Sequence, residues 1–127
     1  MSTCTFDVTV QYNFNGFLPP IANLPGLNQA VAGSVVPLKF SLDGDKGLNI
    51  FAAGYPVSSQ LMPCSSSAEL TTGDSTSPAG NSGLNYTPSI DQYTYAWSTQ
   101  KAWKNSCRQL IMKLNDGTYH RTNFRFK

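Results

Sequence analysis

The aromatic side chains are the residues whose types and spacing point most directly to a chemistry. Tyrosine and tryptophan rings on a weakly charged surface can offer flat faces to sugar rings, while neighbouring amide side chains supply hydrogen bonds. The candidate ligand-binding residues are Trp103, Tyr93, Tyr95 and Tyr119. Trp103 leads this set because polar residues surround it in a short connection, and connections on rigid scaffolds often carry function.

Part of this aromatic set also has a structural interpretation. Tyr93, Tyr95 and Trp97 alternate along the chain, so their side chains share one face of a predicted strand. We expect Trp97 to be the core tryptophan that is typical of immunoglobulin-like sandwiches. For the two tyrosines, an ordinary strand position is the alternative to ligand contact.

The single histidine, His120, is the natural candidate for acid–base catalysis. A catalytic triad needs a nucleophile within about 3 Å of a histidine that a carboxylate orients. No nucleophile-elbow sequence is present, and His120 shares a predicted strand face with Phe124 and Phe126. We therefore predict a structural or rim histidine in a protein that is not an enzyme.

The acidic residues give no clear catalytic or metal-binding pattern. Nearly all seven lie in turn contexts, which turn chemistry explains more simply than the paired carboxylates of a glycosidase. Asp43 and Asp45 resemble part of a calcium loop, but Lys46 intervenes and the downstream bidentate acid is missing. The cysteines lack the spacing of a zinc site. We predict no metal and no cofactor.

Lys39 is a cation in the middle of a predicted strand, between Leu38 and Phe40. One interpretation is a solvent-facing lysine whose stem lies over apolar surface. The other is an isopeptide bond to Asn123 on the last strand, assisted by a buried acid. The only glutamate, Glu69, lies in a predicted loop, so the first interpretation is favoured.

Three cysteines permit one disulfide. Cys64 and Cys107 form the best pair, because each lies at the margin of a predicted strand while Cys4 lies near the N-terminus. Closing a loop of about 40 residues would stabilise the fold by roughly 4 kcal/mol. Three unpaired thiols are the alternative, since connectivity cannot be read from sequence.

Period-two alternation of apolar and polar residues predicts the elements that position these side chains. Strands are expected over 5–12, 35–42, 55–62, 84–86, 93–97, 107–114 and 119–127. Pro37 places the second of these on a sheet edge or at a bulge, and Asp116-Gly117 predicts a hairpin. About seven short strands indicate an all-β, immunoglobulin-like antiparallel sandwich. The Ser/Thr/Gly-rich stretch at about 65–83 is expected to be a mobile loop.

Length and charge limit the classes of function. The 127 residues fit a single domain over 1–127, with 13% charged residues and a net charge of +2. So small a basic excess gives little counterion-release energy, so nucleic-acid binding is not expected. No apolar run approaches the roughly 20 residues that span a bilayer, so membrane insertion is not expected either. We expect the export signal to lie outside this sequence.

Several spaced motifs together resemble a known family. They are Ala32-Gly33-Ser34 with Val36-Pro37-Leu38-Lys39-Phe40, Gly54-Tyr55-Pro56-Val57, Tyr93-Thr94-Tyr95-Ala96-Trp97-Ser98-Thr99, Trp103, Cys107-Arg108-Gln109-Leu110 and Asp116-Gly117-Thr118. From Phe14 onward the chain resembles the PxKF domain, a small accessory module of bacterial secreted and cell-surface proteins. Ser98 departs from the family pattern, in which a lysine is expected.

The resemblance implies an all-β fold, a secreted or cell-surface location and a position beside other domains of a larger secreted protein. It carries over no catalytic residue. We expect a noncatalytic accessory module that attaches to a cell-surface ligand, with a glycan as the most testable partner. The alternative is a structural spacer, in which Pro37, Lys39, Phe40 and Trp97 serve the fold alone.

Overall fold

A computed structural model describes residues 12–19, 21–23, 26–66, 68–78 and 83–127. Nearly all of the strand predicted over 5–12, together with Cys4, lies outside these residues. Every structural statement below concerns the described part of the chain.

Nine strands and two short 3₁₀ turns make up the regular structure of these residues, which contain no α-helix. The strands are β1 (Leu27–Ala30), β2 (Val35–Phe40), β3 (Val57–Leu61), β4 (Asp74–Ser75), β5 (Ser77–Pro78), β6 (Leu84–Thr87), β7 (Gln92–Ser98), β8 (Cys107–Lys113) and β9 (Tyr119–Phe126). The 3₁₀ turns span Pro88–Ile90 and Lys101–Trp103. Six of the seven predicted strands are present, as β2, β3, β6, β7, β8 and β9, whereas β1, β4 and β5 had no counterpart in the prediction.

The strands form two sheets that enclose one core. The first sheet has the order β1-β9-β8-β3-β4, and in the second β7 pairs with β2 on one edge and with β5 and β6 on the other. All pairs are antiparallel except β1 with β9, which run parallel with Leu27 opposite Asn123. The predicted immunoglobulin-like β-sandwich is confirmed, with one parallel pair in an otherwise antiparallel arrangement.

Strand β1 has no signal in the sequence. Its inward residue is the polar Asn28, which is 8% exposed, whereas Leu27 is 41% exposed. The Asn28 side chain replaces apolar packing with hydrogen bonds, because its Nδ2 donates to Thr122 Oγ1 at 2.8 Å and to the Asn123 carbonyl at 3.0 Å. Alternation of apolar residues therefore cannot reveal this strand.

The core follows the predicted alternation of the longer strands. Trp97 is fully buried, and its ring centroid lies 5.5 Å from that of Phe124 and 5.9 Å from that of Phe126, both edge to face. The other fully buried side chains between the sheets are Phe40, Tyr93, Leu38, Leu42, Ile50, Leu110, Met112 and Leu114. Trp97 and Phe40 are thus core residues.

The segment between β3 and β5 lies across the outward face of the first sheet. We call it the crossing segment, and its described residues are 62–66 and 68–76. Gln109 in β8 is fully buried there, since its Oε1 accepts from the Leu70 amide at 2.8 Å and its Nε2 donates to the Ala68 carbonyl at 2.9 Å. Arg121 Nε donates to the Leu70 carbonyl at 2.7 Å. Gly73 passes close to β3, where an added Cβ would clash with the Ser58 carbonyl oxygen.

Residues 65–66, 68–78 and 83 are the described parts of the stretch expected to form a loop at about 65–83, and they include short strands. The stretch contains β4, which pairs with β3, and β5, which pairs with β7, so the chain crosses from one sheet to the other. Although few of its residues are apolar, backbone groups of this segment bond to strand side chains and attach it to the sandwich. The mobility expected for the stretch stays a prediction.

The predicted disulfide between Cys64 and Cys107 is present, with the two Cα atoms 5.4 Å apart. It joins the start of the crossing segment to the first residue of β8. Because 43 residues separate the two cysteines, the bond removes considerable entropy from the unfolded chain.

Replacing both cysteines by alanine (Cys64→Ala with Cys107→Ala) should lower the free energy of unfolding by about 4 kcal/mol, because the loop constraint on the unfolded chain is lost. Urea unfolding followed by tryptophan fluorescence measures the change. Wild-type protein in reductant should match the variant, and an unchanged midpoint in the variant would contradict the account.

Substitution of Gln109 tests the attachment of the crossing segment. Gln109→Leu should destabilise the fold by about 2–3 kcal/mol, because it leaves the Leu70 amide and the Ala68 carbonyl without their partner. The matched control is Gln60→Leu on the neighbouring strand, where the side chain is exposed and a change within about 0.5 kcal/mol is expected. Equal effects of the two substitutions would argue against an anchoring role for Gln109.

Candidate functional site

Two of the four predicted ligand-binding residues lie in the core. Tyr93 is fully buried and Tyr95 is 4% exposed. The Tyr93 hydroxyl accepts from the Lys46 amide at 2.7 Å and donates to the Gly47 carbonyl at 2.8 Å, while the Tyr95 hydroxyl bonds to Thr76 Oγ1 at 2.7 Å. Neither ring can offer a face to a ligand, so both are removed from the candidate set. The alternation of Tyr93, Tyr95 and Trp97 along β7 corresponds to the face of that strand that packs into the core.

Trp103 is half-buried at one end of the sandwich. Its ring centroid lies 5.7 Å from that of Trp97 and 5.5 Å from that of Phe126. The guanidinium carbon of Arg108 lies 4.2 Å from the Trp103 centroid, a cation–π contact. Ser58 and Asp74 hold that guanidinium in place. With one face covered by a fixed cation, Trp103 has little free ring surface for a sugar.

Tyr119 is half-buried on the outward face of the first sheet, in a cluster of aromatic and cationic side chains. Its ring centroid is 6.0 Å from that of Tyr55, 5.1 Å from Lys113 Nζ and 5.0 Å from the Arg121 guanidinium carbon. Hydrogen bonding from Tyr55 and Lys113 lowers the pKa of the Tyr119 hydroxyl. Tyr119 opposes Lys113, whereas Trp103 packs near the other end of β9, so the structure does not bring the two candidates together.

A groove of about 330 Å³ opens beside Tyr119. We call it the Tyr119 groove, and its lining residues are Phe14, Gly16, Phe17, Asn23, Glu69, Tyr119, His120 and Arg121. It combines aromatic rings with a carboxylate, a guanidinium and an imidazole. Glu69 is exposed on the crossing segment, which thereby forms one wall of the groove. The sequence did not indicate Glu69 or Arg121, because contact between distant segments brings them to Tyr119.

His120 belongs to a hydrogen-bonded chain with Thr118 and Asp116. The Thr118 hydroxyl donates to Asp116 Oδ1 at 2.5 Å, and the same oxygen lies 2.8 Å from His120 Nε2. A carboxylate can only accept, so the threonine oxygen accepts from an Nε2–H of the histidine. In a triad the histidine lies between hydroxyl and carboxylate and removes the hydroxyl proton. Here the hydroxyl lies between the other two, so His120 does not activate it.

The imidazole of His120 stacks on Phe14, with ring centroids 3.8 Å apart. Burial lowers its pKa below the ordinary value of 6.5, and the neighbouring Arg121 acts in the same direction, against an opposing effect of Asp116. His120 is therefore a neutral packing residue at neutral pH that borders the groove.

Asp45, which belongs to the sequence that resembles part of a calcium loop, and the nearby Asp91 both accept hydrogen bonds within turns. Asp91 accepts hydrogen bonds from the Ser41 hydroxyl, the Gly44 amide and the Tyr86 hydroxyl at 2.7–3.0 Å. The bond to Tyr86 lowers the pKa of Asp91 and raises that of Tyr86 to about 12. Asp45 accepts from the Gly47 amide at 2.9 Å. In the described part of the chain, no three metal-ligating side chains lie together.

Lys39 and Asn123 lie on outward faces of different sheets. Lys39 is half-buried between two inward residues of β2, and Asn123 Oδ1 accepts from Gln109 Nε2 at 3.0 Å beneath the crossing segment. With the core between the two side chains, the isopeptide alternative is wrong. Pro37 is exposed on β2, an edge strand, as its missing donor predicts.

Comparison with known proteins returned no relatives. No family model matches the chain, and searches of the curated proteins and of the solved structures gave no match. The described residues include no helix that is long and apolar enough to cross a membrane.

The burial of His120 predicts a pH dependence of stability. Its pKa is lower in the folded than in the unfolded protein, so the unfolded state takes up the proton first as the pH falls. The free energy of unfolding should therefore decrease from pH 7.5 through 6.5 and level off below the folded pKa. His120→Phe, which keeps a ring over Phe14, should abolish this decrease in urea titrations at pH 7.5, 6.5 and 5.5.

Two carboxylates provide an internal reference when the urea titrations are extended to about pH 3. The pKa values of Asp91 and Asp116 are lowered, so the stability that they contribute is present above their ordinary pKa and is lost only below about pH 4. That loss should persist in His120→Phe. An unaltered slope between pH 7.5 and 5.5 in the variant would contradict the assignment to His120.

Proposed function

We propose that this domain is a noncatalytic accessory module of a larger secreted or cell-surface protein and that it binds a glycan in the Tyr119 groove. The observation that carries the proposal is the combination of Tyr119 with Glu69, Arg121 and Asn23 around a concave surface. Sugar sites combine an aromatic ring with planar polar groups, since a pyranose has apolar C–H faces and a polar rim of hydroxyls.

The disulfide supports an extracellular location. Bonds such as Cys64–Cys107 form and persist in oxidising compartments and are rare in the cytosol. The resemblance to the PxKF domain suggests the same location, with neighbouring domains of a secreted protein as partners. Only 13% of the residues in the chain are charged, so hydroxyls and amides supply much of the polar surface.

The hydrogen-bond order of Asp116, Thr118 and His120 supports a noncatalytic role. The hydroxyl that could serve as a nucleophile donates its proton to the carboxylate and not to the histidine. The His120 ring also stacks on Phe14, with centroids 3.8 Å apart, which is a packing contact.

A purely structural spacer is the second candidate. The observation in its favour is that Tyr93 and Tyr95 are in the core and that Arg108 covers Trp103, so that the half-buried Tyr119 is the one ring of the original set that lines the groove. The two candidates differ in whether any binding exists that a substitution at Tyr119 could remove.

A pull-down against soluble and insoluble polysaccharides, followed by fluorescence titration with each hit, tests glycan binding. Tyr119→Ala should weaken binding by at least about tenfold, because it removes the ring that the sugar contacts. Tyr119→Phe keeps the ring and should retain most of the affinity.

The matched control for these variants is Ile90→Ala, an exposed apolar residue in the 3₁₀ turn that precedes β7. It should bind like the wild type. Absence of binding across the whole panel would reject the glycan proposal and favour the spacer. Binding that is unaffected by Tyr119→Ala would place the site elsewhere.

A further inference from the structure

The sandwich concentrates positive charge at one end. Lys101, Lys104, Arg125 and Lys127 are all exposed there, and we call this region the basic end. Lys101 and Lys104 belong to the 3₁₀ turn and its C-cap, while Arg125 and Lys127 lie at the close of β9. These four account for nearly half of the nine lysines and arginines in the chain.

Backbone hydrogen bonds tie these segments together. The Asn105 amide donates to the Phe126 carbonyl at 2.9 Å, which joins the 3₁₀ turn to the end of β9. The Ala32 amide donates to the Lys127 carbonyl at 3.0 Å, which joins the β1–β2 turn to the same place. Lys101 lies over Gly33 of that turn, where an added Cβ would lie 2.6 Å from Lys101 Cγ. The positions of the cations are therefore set by the fold.

None of the acidic side chains in the described chain is shown paired with a lysine or arginine of the basic end. Asp43, Asp45, Asp91 and Asp116 lie at the opposite end, around the turns that follow β2 and β8 and precede β7. Glu69 lines the Tyr119 groove. Asp74 is paired with Arg108 at 3.0 Å.

The basic end includes a groove beside two of its four cations. This groove of about 320 Å³ is lined by Gln29, Asn105, Arg125, Phe126 and Lys127. Gln29 and Arg125 are register partners in the β1–β9 pair, so their side chains project from the same face of the sheet. Exposed amides from Gln29 and Asn105 thus lie next to two cations. An anionic group could bind the cations while its neighbouring hydroxyls bind the amides.

We propose that the basic end binds an acidic polysaccharide, with carboxylate groups of the sugar chain paired to Lys101, Lys104 and Arg125. The groove at this end and the two amides favour a sugar chain over a flat anionic membrane. Nucleic acid is disfavoured because Trp103, the aromatic ring at this end, has its face covered by Arg108 and cannot stack on a base. This surface is distinct from the Tyr119 groove, so the inference does not depend on the function proposed above.

The test uses polygalacturonate and its methyl ester, which share a backbone and differ in charge. Biolayer interferometry in 50 mM salt should show binding to polygalacturonate, at least tenfold weaker binding to the ester, and loss of binding at 500 mM salt, where exposed charges are screened. The double variant Lys101→Glu/Lys104→Glu should weaken binding by on the order of tenfold or more, because two ion pairs become repulsive. Arg125→Gln should have a smaller effect in the same direction.

The control for net charge is Lys39→Glu/Lys46→Glu, which makes the same change away from the basic end and should bind like the wild type. Tyr119→Ala should also retain polygalacturonate binding, which separates this proposal from the one for the groove. Equal binding to the methyl ester, equal loss in the two double variants, or no binding by a folded wild type would overturn the proposal. Tighter binding to single-stranded DNA or to phosphatidylglycerol vesicles, lost in Lys101→Glu/Lys104→Glu, would also overturn it.

Discussion

Three consecutive residues at the start of β8 attach the crossing segment, which forms one wall of the Tyr119 groove. Cys107 forms the disulfide with Cys64, Arg108 binds Ser58 and Asp74, and Gln109 holds the backbone of Ala68 and Leu70. Because successive side chains of a strand point to opposite faces, Cys107 and Gln109 act on the outward face while Arg108 acts between the sheets. A segment with few apolar residues is thereby attached along much of its length.

This attachment affects the Tyr119 groove through Glu69, and it affects the surroundings of Trp103 through Asp74, which binds Arg108. The crossing segment places Glu69 beside Tyr119 and Arg121, so it completes the groove. At the other end the buried guanidinium of Arg108 covers Trp103, which turns an apparent sugar platform into part of the core rim. The exposed cations around it are then the groups that remain for a ligand. The domain therefore carries a mixed polar groove and a separate basic end.

Much of the fold could be predicted from the sequence, because burial of alternate apolar residues determines the longer strands and their hairpins. The disulfide followed from the positions of Cys64 and Cys107 at strand margins. What alternation cannot reveal is polar burial, as at Asn28 in β1 and at Gln109 under the crossing segment. At the site, alternation placed Tyr93 and Tyr95 on one face with Trp97, which was expected in the core, but it left both ligand contact and an ordinary strand position open for the two tyrosines. Glu69 and Arg121 meet only through tertiary contact.

Amide hydrogen exchange at Leu70, measured by NMR, tests the central claim most directly. The account predicts that this amide, which donates to the buried Gln109 side chain, exchanges far more slowly than an unstructured amide, and that Gln109→Leu removes this protection. Exchange of the wild-type amide at the unstructured rate would mean that the segment is a mobile loop. The Tyr119 groove would then lack a fixed wall, and the glycan proposal would lose its structural basis.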